Sequence, residues 1–264
     1  MLRHAREYLT RSIYLGLMVV TASAAPAFAA DPAACTDLQR RYDDAKAKMT
    51  AIEISTTLFS AADRGCAELA TRLLDGGASF DARDRFGARP LSHAARSGQG
   101  AVVELLLARG APIDARNIAG ATALFAAIEA DQSDLARKLI KRGADVNLAG
   151  RSDLTPLEVA AFNGDDPLVA ALLAKKANPA AVDKTGKTAI VYAAARGALP
   201  IVKRLLDQGI DVNARYGNDL TVLMWAAGYD DKVTSADGTK MVALLLDRGA
   251  RIDDRDNRGR SALM

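Results

Sequence analysis

Apolar residues recur along this chain at the spacing of short helices, and the predicted helices come in pairs. Residues 84–110 show one such pair, in which a turn at residues 84–87 precedes a helix that Pro90 starts and Gly98 ends. In the next helix, apolar residues three and four positions apart form one face, at Val102, Val103, Leu106 and Leu107. The pattern therefore predicts a turn–helix–turn–helix unit.

This unit returns along the chain at a period of 33 residues. A Gly-Ala pair, or a variant of it, follows each second helix at residues 77–78, 110–111, 143–144, 176–177, 209–210 and 249–250, the last interval being 40. The units therefore span residues 51–83, 84–116, 117–149, 150–182, 183–215 and 216–255, with a partial unit at 256–264. Because one unit cannot cover its own apolar face, we expect the units to stack into a solenoid.

The repeated motif, D-x-x-G-x-T-P-L-x-x-A-A-x-x-G followed by L-L-x-x-G-A, resembles the ankyrin repeat over residues 51–264. The resemblance implies an all-α ankyrin-repeat solenoid of stacked helix-turn-helix units with short β-turn or hairpin fingertips. It also implies a module that binds other proteins. The histidine that ankyrin repeats carry after T-P-L is replaced here, by Ser92, Phe125, Glu158, Val191 and Met224. These replacements put the Thr–His hydrogen bonding of the family in doubt and leave the stacking expected.

The first thirty residues have the three parts of a secretory signal peptide. Three arginines precede the apolar run 13–20, and small residues lead to Ala27-Phe28-Ala29. We expect a signal at residues 1–29, cleavage after Ala29 and a periplasmic location, because an Ala-rich signal is typical of bacteria. An uncleaved anchor or a lipid on Cys35 are the alternatives, and only these would bring the protein to a membrane.

Residues 30–50 are predicted to form a capping helix on the first unit, through a thin apolar stripe at Leu38, Tyr42 and Met49. Cys35 in this helix and Cys66 in the first unit are the chain's two cysteines. In an oxidising compartment they could form a disulfide; the alternative is two free, half-buried thiols. At the other end, the partial unit 256–264 is expected either to break off within a longer stack, which we favour, or to act as a minimal cap.

Composition excludes several other classes of protein. The chain is 50 % hydrophobic and 25 % charged, as folded proteins are, and 5 % aromatic, so its core must be built mainly from small and aliphatic residues. The net charge of +3 is too small to indicate nucleic-acid binding, and removing the signal leaves a mature chain near +1. We expect a monomer that binds no nucleic acid.

Few side chains could carry chemistry. After cleavage His93 is the one histidine left, and it lies inside a predicted helix beside Ala94 and Ala95, where a structural role is favoured. No phosphate-binding loop, metalloprotease motif or EF-hand is present, and the acidic insertion 229–236 is interpreted as a solvated loop rather than a Ca²⁺ site. We therefore expect no catalytic residue, no metal and no cofactor; an enzyme is the least favoured hypothesis.

The resemblance to ankyrin repeats implies that the fingertips and the first helices line a concave groove. Charged residues at these positions in units two to five are basic with one exception, Glu129: Arg85, Arg96, Arg116, Arg151, Lys184, Lys187, Arg196 and Arg215. Apolar or aromatic anchors at the same positions are Phe86, Ile118, Phe162 and Tyr229, whereas Trp225 is assigned to the core.

Such a face predicts an acidic protein partner. Binding to anionic envelope polymers or lipid headgroups is the alternative function. The plainer interpretation is that these cations are ordinary solvated surface residues.

Overall fold

The computed structural model describes residues 32–228 and 235–264. Within them lie thirteen α-helices: α1 Pro32–Ala45, α2 Ala51–Arg64, α3 Ala67–Asp75, α4 Pro90–Arg96, α5 Gly100–Ala108, α6 Ala123–Glu129, α7 Ser133–Lys141, α8 Pro156–Asn163, α9 Asp166–Ala174, α10 Ala189–Ala195, α11 Leu199–Asp207, α12 Val222–Ala227 and α13 Ser235–Asp247. Short 3₁₀ turns lie at Lys46–Lys48, Arg151–Asp153 and Gly217–Asp219. The predicted signal peptide and Tyr229 lie outside the described residues.

The helices α2 to α13 form six consecutive pairs, one pair for each predicted unit. First helices contact the first helices of neighbouring units, so that α4 lies between α2 and α6, and α10 between α8 and α12. Second helices follow the same order, with α9 between α7 and α11. The predicted all-α solenoid of stacked helix-turn-helix units is confirmed.

Threonine and proline residues explain where the first helices begin. The hydroxyls of Thr122, Thr155 and Thr221 each accept a hydrogen bond from the backbone N–H three residues later, at 3.2–3.3 Å. Each cap of this kind stabilises its helix by about 1 kcal/mol. Pro90 and Pro156 occupy the first position of their helices, where no amide hydrogen bond is lost.

The fingertips are minimal hairpins that are pinned to one another. In each, the first residue donates its N–H to the carbonyl four residues on, as from Asp84 to Ala88 at 2.9 Å. The Asp84 carboxylate also accepts from the Phe86 and Ala88 amides, at 2.8 Å each. Backbone hydrogen bonds of 2.8–3.1 Å join consecutive units, from Ile118 to Phe86, from Lys184 to Ser152 and from Gly217 to Gly186. Among the described residues no strand is longer than one bridge, between Tyr216 and Leu220.

One large hydrophobic core runs through the stack. Alanine side chains allow the helices around it to pack closely. Ten alanines of the first helices are 0 % exposed among the described residues: Ala61, Ala62, Ala94, Ala95, Ala127, Ala160, Ala161, Ala193, Ala194 and Ala226. The largest fully buried side chain among the described residues, Phe125, belongs to a small second cluster with Ala121 and Leu154 and stands where ankyrin repeats carry histidine. A Cβ on Gly150 would lie 2.7 Å from the Phe125 ring. The first position of this fingertip therefore has no room for an aspartate, the residue that other fingertips have there as Asp84 and Asp183.

Helix α1 lies on the first unit and is attached to it covalently. Cys35 and Cys66 form a disulfide across a Cα–Cα distance of 5.3 Å, which decides between the two alternatives left open above. Leu38 and Tyr42 of the predicted stripe pack on the core, but none of the helix's residues is buried. Arg72 donates two hydrogen bonds to the Asp43 carboxylate, one of them at 3.2 Å.

Residues 256–264 repeat the fingertip of a further unit, and Ala262 packs on the core. Leu263 and Met264 are 74 % and 73 % exposed. No helix in the described ranges is both long and apolar enough to cross a membrane.

Candidate protein-binding face

The predicted binding face, meaning the fingertips and first helices of units two to six, divides into residues with different surroundings. Its first pair is Arg85 and Phe86 in the second fingertip. Both are exposed, Phe86 by 57 %, and the Arg85 guanidinium carbon lies 4.7 Å from the centroid of the Phe86 ring. A cation held over a ring in this way keeps its charge and loses conformational freedom.

Arg116 and Arg215 clamp consecutive fingertips. Arg116, the last residue before the fingertip of unit three, donates to the carbonyl of Gly120 in that fingertip at 2.9 Å and to that of Ala149, the last residue before the fingertip of unit four, at 2.8 Å. Arg215 does the same with Asp219 at 3.2 Å and Arg255 at 2.7 Å. Sequence reasoning missed this role, although both arginines occupy the same place in the 33-residue repeat. Their charge stays at the surface while several of their N–H groups hold the stack together.

Lys187 is not the exposed cation that its position predicted. The residue is 7 % exposed, and its ammonium lies 5.9 Å from the Tyr192 ring and 5.5 Å from the Trp225 ring. The ammonium donates to the Thr185 hydroxyl at 2.8 Å. Burial lowers the pKa of Lys187, against the opposing charge of Asp183. Trp225 is half-buried and packs on the core, in the place expected for it.

Arg196 is a second exposed cation that lies over an aromatic ring, that of Phe162. The Arg196 guanidinium carbon lies 5.1 Å from the Phe162 centroid, and Phe162 meets Tyr192 edge-on at 6.0 Å. Tyr192 in turn donates from its hydroxyl to the Asp183 carboxylate. Burial, together with this hydrogen bond, raises the pKa of Tyr192.

The remaining predicted cations differ in whether they form ion pairs. Arg151 forms an ion pair with Glu129, at 2.6 Å, so the one acidic residue of the face neutralises it. Arg96 and Lys184 are exposed, and neither forms an ion pair within the described part of the chain.

His93 is enclosed by carboxylates. Its Nδ1 lies 3.0 Å from Asp63 and its Nε2 lies 3.2 Å from Asp84, two hydrogen bonds that form together when the ring is doubly protonated. Burial acts to lower the pKa of His93, but the hydrogen bonds and charges of Asp63 and Asp84 outweigh it and raise the pKa. Ser97 donates to Asp63 and not to the imidazole. The arrangement pairs charges between two units and offers no Ser–His or Cys–His nucleophile.

A buried carboxyl group beneath the face, that of Glu158, was also not predicted from the sequence. Glu158 is 1 % exposed; one carboxylate oxygen accepts from the amide and the hydroxyl of Thr155, at 2.6 and 2.9 Å. The other oxygen has no hydrogen-bond partner among the described residues. Burial raises the pKa of Glu158 to about 7, the Thr155 hydrogen bonds act against it, and the charge of Asp183 adds to the rise. The T-x-x-E spacing in the sequence indicated a helix cap, but not burial.

No group of three or more potential metal ligands occurs in residues 32–228 and 235–264. Most of the acidic insertion that was weighed as a Ca²⁺ site, residues 229–234, lies outside these ranges.

Family models for ankyrin repeats match most of the helical stack. A model of three copies matches residues 58–150, a model of many copies matches 157–203 and 190–232, and a single-repeat model matches 218–257. The chain belongs to the ankyrin repeat family. Ankyrin repeats bind other proteins, and the chain is therefore a protein-interaction scaffold. A search of curated proteins found no match to the chain.

Proposed function

We propose that this ankyrin repeat protein is an exported, non-catalytic, monomeric scaffold that binds an acidic protein partner through its basic face. The observation that carries the proposal is a difference in arginine pairing between the two sides of the stack. Arginines that lie on or follow the second helices form ion pairs with carboxylates, whereas Arg85, Arg96 and Arg196 of the binding face form none with a described residue. Exposed lysines without an ion pair to a described residue lie on both sides, as Lys138 and Lys203 do on the second helices.

The pairing on the second helices is regular. At four junctions an arginine of one unit forms an ion pair with a carboxylate of the preceding unit: Arg109 with Asp75, Arg142 with Glu104, Arg204 with Asp166, and Arg248 with Asp207. These arginines therefore add little to the field outside the protein.

The binding face keeps its positive charge. Arg85, Arg96, Lys184 and Arg196 are exposed and form no ion pair with a described residue. Exposed cations without an ion pair on this face attract an acidic surface and speed its encounter with the protein.

Two further observations support export and a non-catalytic role. The Cys35–Cys66 disulfide suits an oxidising compartment such as the periplasm, in agreement with the signal-like residues 1–29. Both nitrogens of His93 are engaged by carboxylates, so the histidine that an enzyme hypothesis would use is committed to the fold.

The partner assignment is tested by charge reversal on each side of the stack. The double variant Arg96→Glu/Arg196→Glu changes the binding face, and Lys138→Glu/Lys203→Glu makes the same change of net charge on exposed positions of the second helices. Immobilised full chain is presented with periplasmic extract, and bound proteins are quantified. We expect recovery of acidic proteins to fall for the first variant alone. If both variants recover equal amounts of acidic protein, the basic face is not the binding site. If the unmodified chain binds anionic polysaccharide instead of acidic proteins, the alternative function is indicated.

Export is tested separately by expressing the full chain in a Gram-negative host. The proposal expects a periplasmic product whose N-terminus is Ala30; a cytoplasmic or membrane-bound product contradicts it.

A further inference from the structure

Two large apolar side chains are exposed side by side on the fingertips of units two and three. Phe86 is 57 % exposed and Ile118 is 80 % exposed. At the repeat positions of these two residues, units four to six carry polar residues, glycine or cations: Ser152, Thr185 and Asn218 in place of Phe86, and Arg151, Lys184 and Gly217 in place of Ile118. The fingertip fold therefore has no need of an apolar side chain at either position.

Phe86 and Ile118 belong to one patch. The Ile118 amide donates to the Phe86 carbonyl at 3.0 Å, which fixes the two fingertips against each other. A Cβ on Gly87 would lie 3.1 Å from the Ile118 side chain, so Ile118 rests on the turn that carries Phe86. An exposed apolar pair of this kind, next to polar fingertips, is typical of a contact site.

Fixed cations flank the patch. The Arg85 guanidinium is held over the Phe86 ring, and the Arg116 guanidinium is held by the Gly120 and Ala149 carbonyls. The nearest acid in the same fingertip, Asp84, uses its carboxylate on its own backbone and on His93. A partner carboxylate thus meets cations whose positions are set before binding, which reduces the entropy lost on association.

We propose that Phe86 and Ile118, with Arg85 and Arg116 around them, form the anchor of the binding face, and that it takes a large apolar side chain flanked by carboxylates in an extended segment of the partner. The inference rests on the proposed function and adds to it the place and the chemistry of the strongest contact. Charge complementarity selects the acidic segment, and the exposed apolar pair selects the side chain within it. The two apolar residues give too small a patch for stable insertion into a bilayer, which favours a peptide over a lipid surface.

The anchor is tested with two fluorescein-labelled probes, a heptaglutamate peptide and the same peptide with leucine at its centre. Fluorescence anisotropy with the full chain gives both affinities. We expect the leucine peptide to bind about threefold to tenfold more tightly, and this preference to persist as salt is raised to about 0.3 M, because burial of an apolar side chain is not screened. Phe86→Ser and Ile118→Ser should each lower the affinity for the leucine peptide more than the affinity for heptaglutamate, and so remove the preference.

The matched control is Val182→Ser, since Val182 is a 56 % exposed apolar residue that precedes a remote fingertip. It should keep the preference. Equal affinity of the two peptides for the unmodified chain overturns the anchor while leaving the basic face intact. Absence of binding by either peptide at low salt contradicts the proposed function itself. Binding to vesicles containing anionic lipid that is lost in Phe86→Ser, with no preference between the peptides, would overturn the anchor in favour of a membrane contact.

Discussion

The most unusual single residue in this stack is Glu158, a carboxyl group buried beneath the binding face. Thr155 hydrogen-bonds one of its oxygens, and the other is buried without a partner among the described residues. Since its pKa is about 7 while the usual value is 4.5, the folded protein holds this proton more tightly than the unfolded chain does. Stability from this group is therefore complete below pH 4.5 and is lost as the pH rises towards 7.

The variant Glu158→Gln is expected to remove this pH dependence. Glutamine keeps an oxygen for the Thr155 amide and hydroxyl but carries no charge, so the variant should exceed the unmodified protein in stability at pH 8 by roughly 1–3 kcal/mol. Urea unfolding at pH 5 and pH 8 measures the difference. If the two proteins respond to pH alike, Glu158 does not titrate in this range.

At the scale of elements, the capping helix α1 stands apart from the repeats. None of its fourteen residues is buried, and a helix of this length is marginal by itself in water. Its attachment consists of the Cys35–Cys66 disulfide, the Arg72–Asp43 ion pair and the partial burial of Leu38 and Tyr42. The disulfide is therefore expected to determine whether α1 stays on the first unit.

Replacing Cys35 by serine tests this dependence. Cys35 is the better position because Cys66 is 4 % exposed and belongs to the core. We expect a loss of about 3 kcal/mol, since the disulfide closes a loop of some thirty residues, and faster amide hydrogen exchange throughout α1. Helices α6 to α11 should keep their protection, as they do not touch α1. Unchanged exchange in α1 would show that its side-chain contacts suffice, and reduction of the unmodified protein should reproduce the effect of the variant.

At the scale of the whole molecule, the fold is a line of units in which each contacts only its neighbours. Stability in such a line is approximately a sum of unit and junction contributions, and a local defect stays local. Ala160 is 0 % exposed in α8, which packs between α6 and α10. A larger side chain at this position must separate these helices.

We expect Ala160→Leu to destabilise the protein by about 1–3 kcal/mol through overpacking. Hydrogen exchange should rise in α6 to α11 and stay low in α2 to α4. Ala174→Leu, at the exposed end of α9, provides the control and should behave like the unmodified chain. A uniform rise in hydrogen exchange across all units would contradict the expectation that a local defect stays local.

Most of the fold could be predicted from the sequence because its signals are local. Turn glycines, helix-capping threonines and the spacing of apolar residues act within a few positions, and their return every 33 residues marks the units. The candidate face was harder to predict. Repeat position placed Lys187 among exposed cations, but Tyr192 and Trp225 of the following helices cover it, and Glu158 was recognised as a cap without its burial.

The sequence by itself determined the helix pairs, the order of the units and the family, since each follows from neighbours along the chain. Only the tertiary structure decided that Cys35 meets Cys66, that Arg116 and Arg215 clamp fingertips, and which cations stay unpaired. Each of these depends on residues about one repeat away, brought together by stacking. The physical reason is distance: local conformation follows the sequence, whereas burial and charge pairing depend on what the next unit places beside a side chain.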